Sequence, residues 1–220
     1  YDEVNNEQRE IIYAERRKVL DGDNMRDVIL KMITDIVENA VDMSISDEQG
    51  TEEWDLTELN TLLLPIIPLP PVALKDDQKD MKKNELKHML KEEAIKLYEA
   101  KEAEFQEAEQ IRELERVVLL KVIDNKWMSH IDDMDQLRQG IGLQAYGQRD
   151  PVVEYKMSAY EMFEAMTAAI TEETVRILFH IRVEQKIERE PAAKVTGTNR
   201  DDSAPRAPKV RQVQKIYPND

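Results

Sequence analysis

The sequence predicts an all-α protein, and three observations support that prediction. Charged residues make up 35% of the 220 residues while glycine occurs only six times, as in long helices with solvated outer faces. Apolar residues recur at steps of three and four over most of the chain, which is the pattern of amphipathic helices. Aromatic content is only 5%, so leucine, isoleucine, valine and methionine fill most of the expected core.

The composition also narrows the classes of function. The formal net charge of -15 argues against nucleic acid as a partner, because phosphate binding needs clustered lysine and arginine. With no cysteine, the chain has neither a disulfide framework nor a thiolate metal site. The longest uncharged run, residues 59–74, is shorter than the roughly 20 residues of a spanning helix. The chain starts inside a helical pattern without methionine, so we expect a piece of a longer protein.

The first two helices are marked by their ends. Residues 1–20 predict a helix that stops at Gly22, where glycine adopts the left-handed conformation. Asp23 or Asn24 then caps a second helix, because short polar side chains accept hydrogen bonds from free backbone N–H groups. The apolar repeat over residues 25–41 is the most regular of the chain. We therefore predict two helices joined by a tight turn.

The middle of the chain alternates short links and helices. Residues 44–51 predict a turn-rich link, and Asp55 or Thr57 caps the short helix that follows. The prolines of residues 65–71 favour an extended backbone that we expect to lie over neighbouring helices. A proline-groove ligand is the alternative interpretation of that segment. Residues 84–139 contain neither proline nor glycine, so they predict one long helix or two joined near 104–109.

The stretch from Val117 to Ile181 predicts a helical hairpin bent at residues 140–151. Asp150-Pro151 starts the second arm, as an N-cap followed by the proline favoured at the first helical position. The bend carries Tyr146, whose ring either packs on the hairpin base or contacts a partner. The apolar residues of the first arm are Val118, Val122, Ile123, Trp127, Ile131, Met134, Leu137 and Ile141. Those of the second arm are Val152, Tyr155, Ala159, Tyr160, Phe163, Met166, Ile170, Ile177, Leu178 and Ile181.

We find no pattern that predicts an active site or a resident metal. Glu85 and His88 have the spacing of di-iron helical bundles, but those proteins need a second copy that this chain lacks. His130 stands beside three aspartates, which we interpret as a solvated helix face and not as an acid/base pair. The glycines at 140 and 142 lack the Lys-Ser/Thr of a phosphate loop. A helical adaptor, a di-iron enzyme and a coiled-coil dimer remain alternatives.

The last part of the sequence has no periodicity. From Pro191 onward alanine, proline, threonine and charged residues dominate, which predicts a disordered tail. Residues 206–215 are locally basic, and Val210, Val213 and Ile216 suit docking as an extended strand on a partner outside this segment.

Several short sequences of the hairpin form a recognisable set. They are Asp124-Asn125-Lys126-Trp127-Met128-Ser129-His130-Ile131 and Met134-Asp135-Gln136-Leu137-Arg138-Gln139-Gly140-Ile141, followed by Tyr146, Gln148, Asp150-Pro151 and Glu154-Tyr155. The set also includes the opening residues Tyr1-Asp2-Glu3-Val4-Asn5. Together they resemble the C-terminal helical region of SecA, the motor ATPase of bacterial preprotein translocation. The resemblance covers nearly the whole chain and is weakest at residues 44–84.

The resemblance implies a domain organisation and a set of contact residues. Residues 1–20 would start the helical scaffold, 21–106 would form the helical wing, 107–185 the scaffold with a two-helix finger, and 186–220 a flexible C-terminal linker. It implies contact with the preprotein and the SecYEG channel at the hairpin tip, by Tyr146, Gln144, Gln148 and Arg149. It implies anchoring or regulation of the finger by Trp127, Arg138 and Gln139.

The resemblance also implies partners and cofactors that lie beyond these residues. ATP and magnesium would be held by nucleotide-binding domains of the parent chain, so we predict no cofactor here and no ATP hydrolysis by this piece alone. The family's zinc-binding tail is cysteine-rich, and this chain has no cysteine. Gly142, Gln144, Ala145 and Gly147 depart from the family loop, and the loss of its arginine at 144 weakens any contact with anionic lipid. The expected location is cytoplasmic and peripheral, at the inner face of the plasma membrane.

Overall fold

The described part of the chain forms six α-helices and a pair of strands. The computed structural model describes residues 1–22, 24–144, 147, 150–189 and 210–217. For residue 144 and for the strand residues beyond Glu184 it describes the backbone only. The helices are α1 (Asp2–Leu20), α2 (Met25–Ser44), α3 (Leu56–Leu63), α4 (Lys83–Glu102), α5 (Ala108–Gln144) and α6 (Pro151–His180). The all-α prediction is confirmed.

The chain divides into two compact units, Tyr1–Phe179 and His180–Asp220. In the second unit, β1 (Arg182–Arg189) pairs antiparallel with β2 (Val210–Tyr217), so that Arg182 lies opposite Tyr217. The extended strand expected within residues 206–216 is therefore present, and its partner is a strand of the same chain. Residues 190–209 and 218–220 of the predicted tail lie outside the described residues. The predicted wing and scaffold boundaries remain predictions.

The turn between α1 and α2 follows from its glycine and its cap. Gly22 has a φ of 92°, the left-handed conformation that lets α1 end without steric strain. Asn24 caps α2, since its side chain accepts a hydrogen bond of 3.3 Å from the backbone N–H of Asp27. Asp23, the other candidate cap, lies outside the described residues. The N-cap predicted at this position is confirmed for Asn24.

Helix α2 is the centre of the first unit and packs against α3, α4 and α5. Its buried face carries Ile29, Ile33, Val37 and Val41, spaced by four residues as the sequence predicted. Because these side chains are fully shielded from water, they supply the main hydrophobic stabilisation of the region. The long predicted helical run breaks into two helices, α4 and α5, at a turn whose Phe105 is buried.

The proline-rich segment after α3 begins as a turn, in which the N–H groups of Ile66 and Ile67 donate to the carbonyl of Leu63. The extended backbone predicted for residues 65–71 is therefore wrong at its start, and chain without helix or strand follows from residue 68. Asp55 caps α3 by accepting a 2.9 Å hydrogen bond from the N–H of Glu58. Farther along, Asn60 holds the extended chain at Val72, donating to its carbonyl at 3.1 Å and accepting from its N–H at 2.7 Å. The apolar side chains of the segment are buried: Ile66, Ile67, Leu69 and Val72.

The hairpin differs from the prediction at its bend. Helix α5 continues through Gly140 and Gly142 to Gln144, so the bend begins later than residue 140. Ile141 explains this difference, because it is buried in a cluster with Met134 and Tyr155. That packing offsets the cost of a glycine within a helix, which is about 1 kcal/mol relative to alanine.

The predicted apolar stripes are mostly buried, with three exceptions. Ile131 on α5 is 39% exposed, and Val152 and Tyr160 on α6 are 47% and 65% exposed. These three side chains follow the helical period but are exposed, and Leu137, Phe163 and Ile177 are half-buried.

Candidate functional site

The hairpin of α5 and α6 is fastened to α1 by five polar contacts, which four residues of α1 make. We call these contacts, with the apolar residues between them, the α1 seam. They are Asp2 with Arg138, Asn5 with Tyr155, Gln8 with His130 and with the backbone of Ala159, and Arg16 with Asp124. The sequence separations range from 108 to 151 residues. The contacts reach both arms, so α1 joins α5 to α6.

A cluster of rings secures the end of the seam nearest the bend. The Arg138 guanidinium lies 3.1 Å from the Asp2 carboxylate and 5.9 Å from the centroid of the Tyr1 ring. The Tyr1 ring packs edge-on against Tyr155, with 4.3 Å between centroids. Tyr155 donates a 3.0 Å hydrogen bond to Asn5, and burial raises the pKa of its hydroxyl. These contacts hold the hairpin against α1 close to the loop that joins α5 to α6.

The middle of the seam contains a buried histidine. His130 is only 3% exposed, and its Nε2 lies 2.6 Å from Oε1 of Gln8, which is itself buried. The Gln8 amide nitrogen donates to the carbonyl oxygen of Ala159 at 3.0 Å. The prediction that His130 belongs to a solvated face is therefore wrong, although Asp132 and Asp133 beside it are exposed. Burial lowers the pKa of His130, and the charge of Asp133 opposes that shift.

The residues predicted to anchor the finger have different surroundings. Trp127 is buried, with its ring centroid 5.6 Å from that of His130. Arg138 pairs with Asp2 at the surface, as described above. Gln139 is exposed on α5. Trp127 and Arg138 thus contribute to the α1 seam, and the anchoring and regulatory roles of all three residues remain predictions.

The structure describes none of the side chains predicted to form the tip. Tyr146, Gln148 and Arg149 lie outside the described residues, as does the side chain of Gln144. What is described is the start of the second arm, where Asp150 accepts a 2.9 Å hydrogen bond from the N–H of Val152. Asp150 therefore caps α6, with Pro151 in the first turn as predicted.

Two grooves run along the outside of the seam, one lined by three glutamates and Lys156, the other by two arginines and Asp124. The groove between α1 and α6, about 450 Å³, combines apolar residues with Glu3, Glu7 and Glu164. The groove between α1 and α5, about 520 Å³, includes Arg16 and Arg17. Their exposed apolar residues are Ile11 and Tyr160 in the first groove, and Tyr13, Leu20 and Met128 in the second.

Sequence reasoning missed a buried acid at the junction of α4 and α5. Glu115 is fully buried, and its Oε1 accepts a hydrogen bond from the Tyr98 hydroxyl and forms an ion pair with Arg112 at 3.0 Å. Burial raises the pKa of both Glu115 and Tyr98. Arg112 also pairs with Glu102 at 2.6 Å, and Glu102 pairs with Arg26 of α2 at 3.2 Å. The cluster is closed to solvent at Glu115, so it suits a structural junction more than a reaction site.

Glu85 and His88, whose spacing resembles that of di-iron bundles, make other contacts in the structure. Glu85 accepts a 2.8 Å hydrogen bond from the N–H of Lys82 and so caps the start of α4. His88 is exposed and lies 3.2 Å from Glu92 on the same helix. Within the described part of the chain, no three acidic or histidine side chains are grouped as metal ligands would be. Among these same residues, no helix is long and apolar enough to cross a membrane.

Comparison with known proteins gives a consistent match. The family described as "SecA Wing and Scaffold domain" matches residues 1–182. The chain is 71% identical over 228 residues to protein translocase subunit SecA of Lachnoclostridium phytofermentans, covering all of this chain and 26% of that protein. It is 47% identical over 223 residues to the SecA subunit of a Clostridium botulinum strain, again covering all of this chain and 26% of that protein.

A third relative extends this pattern. Protein translocase subunit SecA 1 of Alkaliphilus metalliredigens is 45% identical over 215 residues, covering 97% of this chain and 24% of that protein. The chain thus spans about a quarter of the length of these curated relatives. Because the family match extends over α1 to α6, the chain belongs to the SecA wing and scaffold domain family.

Proposed function

We propose that this chain is the wing and scaffold part of a protein translocase subunit. In that subunit, the hairpin of α5 and α6 couples ATP-driven movement of motor domains to preprotein transfer through the SecYEG channel. The family match over residues 1–182 carries the proposal, since the matched relatives are named as translocase subunits. The mechanical part of the proposal rests on the hairpin and its attachment to α1.

The length of the hairpin supports a role in transmission. At about 1.5 Å per residue, α5 is about 55 Å long and α6 about 45 Å long. A displacement at one end reaches the other only if the arms do not bend or slide. The α1 seam meets that requirement by holding both arms at several points along α1.

The proposal assigns the chemistry to other parts of the parent protein. ATP and magnesium would bind in nucleotide-binding domains that contact the scaffold, and no residue of this chain is assigned to them. The preprotein and the channel would contact the loop through Tyr146, with Gln144, Gln148 and Arg149 beside it. Anionic lipid is a further proposed contact, at the inner face of the plasma membrane.

A crosslinking experiment tests the tip assignment. A chimera would carry this chain in place of the matching quarter of the Lachnoclostridium phytofermentans SecA, with native cysteines removed and Tyr146→Cys introduced. We expect crosslinks to a stalled preprotein and to the channel in the presence of ATP. The matched control, Asp132→Cys, places the thiol at an exposed position on α5 away from the bend and is expected to give neither crosslink.

A second measurement tests whether ATP hydrolysis belongs to this chain or to the motor domains. The purified 220-residue chain is expected to show no phosphate release from ATP, whereas the chimera is expected to hydrolyse ATP. Absence of any Tyr146→Cys crosslink in a chimera that translocates preprotein would reject the tip assignment. Phosphate release by the chain alone would reject the assignment of ATP chemistry to other domains.

A further inference from the structure

Hydrogen-bond directions fix the protonation pattern at the centre of the α1 seam. The carbonyl oxygen of Ala159 only accepts hydrogen bonds, so the Gln8 amide must present its NH₂ group to it, at 3.0 Å. The Gln8 amide oxygen then faces Nε2 of His130, at 2.6 Å. Because an amide oxygen also only accepts, His130 must carry a hydrogen on Nε2. We call the sequence of groups from His130 through Gln8 to Ala159 the Gln8 relay.

The relay connects three helices at a buried position, beside a cavity of about 110 Å³ that Gln8 and His130 line. Gln8 belongs to α1, His130 to α5 and Ala159 to α6, and all three residues are buried. The His130 ring lies between Trp127 and Phe163, with centroid distances of 5.6 Å and 5.9 Å. A buried polar group that loses its partner keeps the full penalty of its desolvation. The relay therefore favours one arrangement of the three helices strongly.

The residues on either side of Gln8 show which arrangement the relay excludes. The positions one turn before and after Gln8 on α1 are Val4 and Ile12, which are apolar and partly or fully buried. A slide of α1 by one turn, about 5 Å, would bring Val4 or Ile12 to the place of Gln8. Neither side chain can pair with His130 or with the Ala159 carbonyl. Only the observed register satisfies both groups.

We propose that His130 is a positioning residue that sets the register of the hairpin on α1 through the Gln8 relay. The hairpin and α1 then move as one body and do not slide past each other. The proposal concerns the mechanics of these three helices and holds whatever partner meets the loop. Its failure would leave the translocase assignment standing, because that assignment rests on the family match.

A distance measurement on the 220-residue chain tests the register. The chain has no cysteine, so Glu10→Cys with Ser129→Cys gives a single pair of spin labels, at exposed positions of α1 and α5. We expect one narrow distance distribution in this parent and in His130→Gln, because a glutamine amide nitrogen can supply the lost Nε2 donor. In His130→Leu we expect a broadened distribution or a second population displaced by about 5 Å.

A matched control separates loss of register from loss of stability. Val122→Ala removes buried volume from α5 outside the relay and is expected to destabilise the chain while keeping the narrow distribution. A His130→Leu variant with the parent's distribution would overturn the proposal. So would broadening in Val122→Ala equal to that in His130→Leu.

Nuclear magnetic resonance of the unsubstituted chain provides a test that needs no variant to fold. Two-bond ¹H–¹⁵N spectra at neutral pH distinguish a hydrogen on Nε2 from one on Nδ1. We expect His130 to be the Nε2–H form. Observation of the Nδ1–H form would contradict the relay, since the Gln8 oxygen would then face an unprotonated nitrogen.

Discussion

Helices α2 and α4 meet in a different way from α1 and the hairpin, although both regions bury apolar faces. Between α2 and α4 the charges lie along the edge: Lys83 and Lys87 pair with Asp42 at 2.9 Å and 2.7 Å, and Lys91 pairs with Glu38. In the α1 seam, the polar groups of the Gln8 relay lie inside. The α1 seam also has ion pairs at its surface, Asp2 with Arg138 and Arg16 with Asp124, but it adds buried polar contacts to them.

The difference has an energetic meaning. Surface ion pairs contribute little individually, and three successive pairs along α2 and α4 are partly redundant. The relay is buried, so its loss leaves polar groups without their hydrogen-bond partners inside the seam. We therefore expect α2 and α4 to depend on apolar volume and the hairpin to depend on hydrogen-bond geometry. Substitutions test that contrast, and they are given from the largest expected effect to the smallest.

The largest effect is expected from Ile33→Ala in α2. Ile33 is fully buried, so the substitution removes apolar surface and leaves a cavity that the helices fill only partly. The free energy of unfolding should fall by about 2–5 kcal/mol, measured by urea denaturation. Ile11→Ala, at a half-exposed position of α1, is the control and should lose far less. Equal losses at the two positions would contradict the role of α2 as the core helix.

A smaller loss is expected from His130→Leu in the relay. The variant keeps an apolar side chain but leaves the Gln8 oxygen without a donor, which should lower the free energy of unfolding by about 1–3 kcal/mol. His130→Gln should recover part of that loss under the same urea titration. If the leucine variant matched the parent in stability, the relay would contribute no net stabilisation.

The histidine should also make stability depend on pH. Burial holds the pKa of His130 below its ordinary value of 6.5, so the unfolded chain binds more protons as the pH falls through that value. Stability contributed by neutral His130 is thus complete above pH 6.5 and declines below it. Between pH 7.5 and pH 5.5, the parent should lose more stability than His130→Gln. Glu115, whose pKa is raised by burial, adds stability as the pH falls, but it does so equally in the parent and in His130→Gln.

The smallest effect is expected from Asp42→Asn at the edge of α2. Asp42 accepts from both Lys83 and Lys87, and these bonds lower the pKa of its carboxyl group. Removing its charge should cost about 0.2–1 kcal/mol at low salt, and the difference should vanish near 1 M salt, measured by thermal unfolding. A larger loss, or one that persists at high salt, would mean that the edge charges act as more than surface pairs.

Local signals in the sequence were sufficient for much of the fold. The repeat of α2, the caps at Asn24 and Asp55, and the start of α6 at Pro151 all depend on residues a few positions apart. The same locality explains the main error at the candidate site. The aspartates beside His130 predict a solvated position, whereas its partner Gln8 is 122 residues away. Nothing within a turn of His130 indicates that partner.

The junction at Glu115 was missed for a related reason. A glutamate in a charge-rich helix normally faces water, and its burial here depends on Tyr98 and Arg112, with Tyr98 on another helix. The pairing of Arg138 with Asp2, 136 residues away, is likewise a long-range contact. The tip contacts of Tyr146 depend on partners outside this chain and remain predictions.

The two glycines in the last turns of α5 give the hairpin unequal stiffness along its length. A side chain added at Gly140 or Gly142 would meet no atom within 4 Å, so local packing does not require glycine at either position. Each glycine lowers helix stability by about 1 kcal/mol relative to alanine. Toward Gln144, beyond the anchor at Ile141, the arm therefore unwinds at a low energetic cost. The α5 helix is therefore held firmly where it packs against α1 and is less stable in its final turn, next to the loop. A less stable final turn lets the loop adjust to contacts of different shape while the rest of the helix keeps its direction.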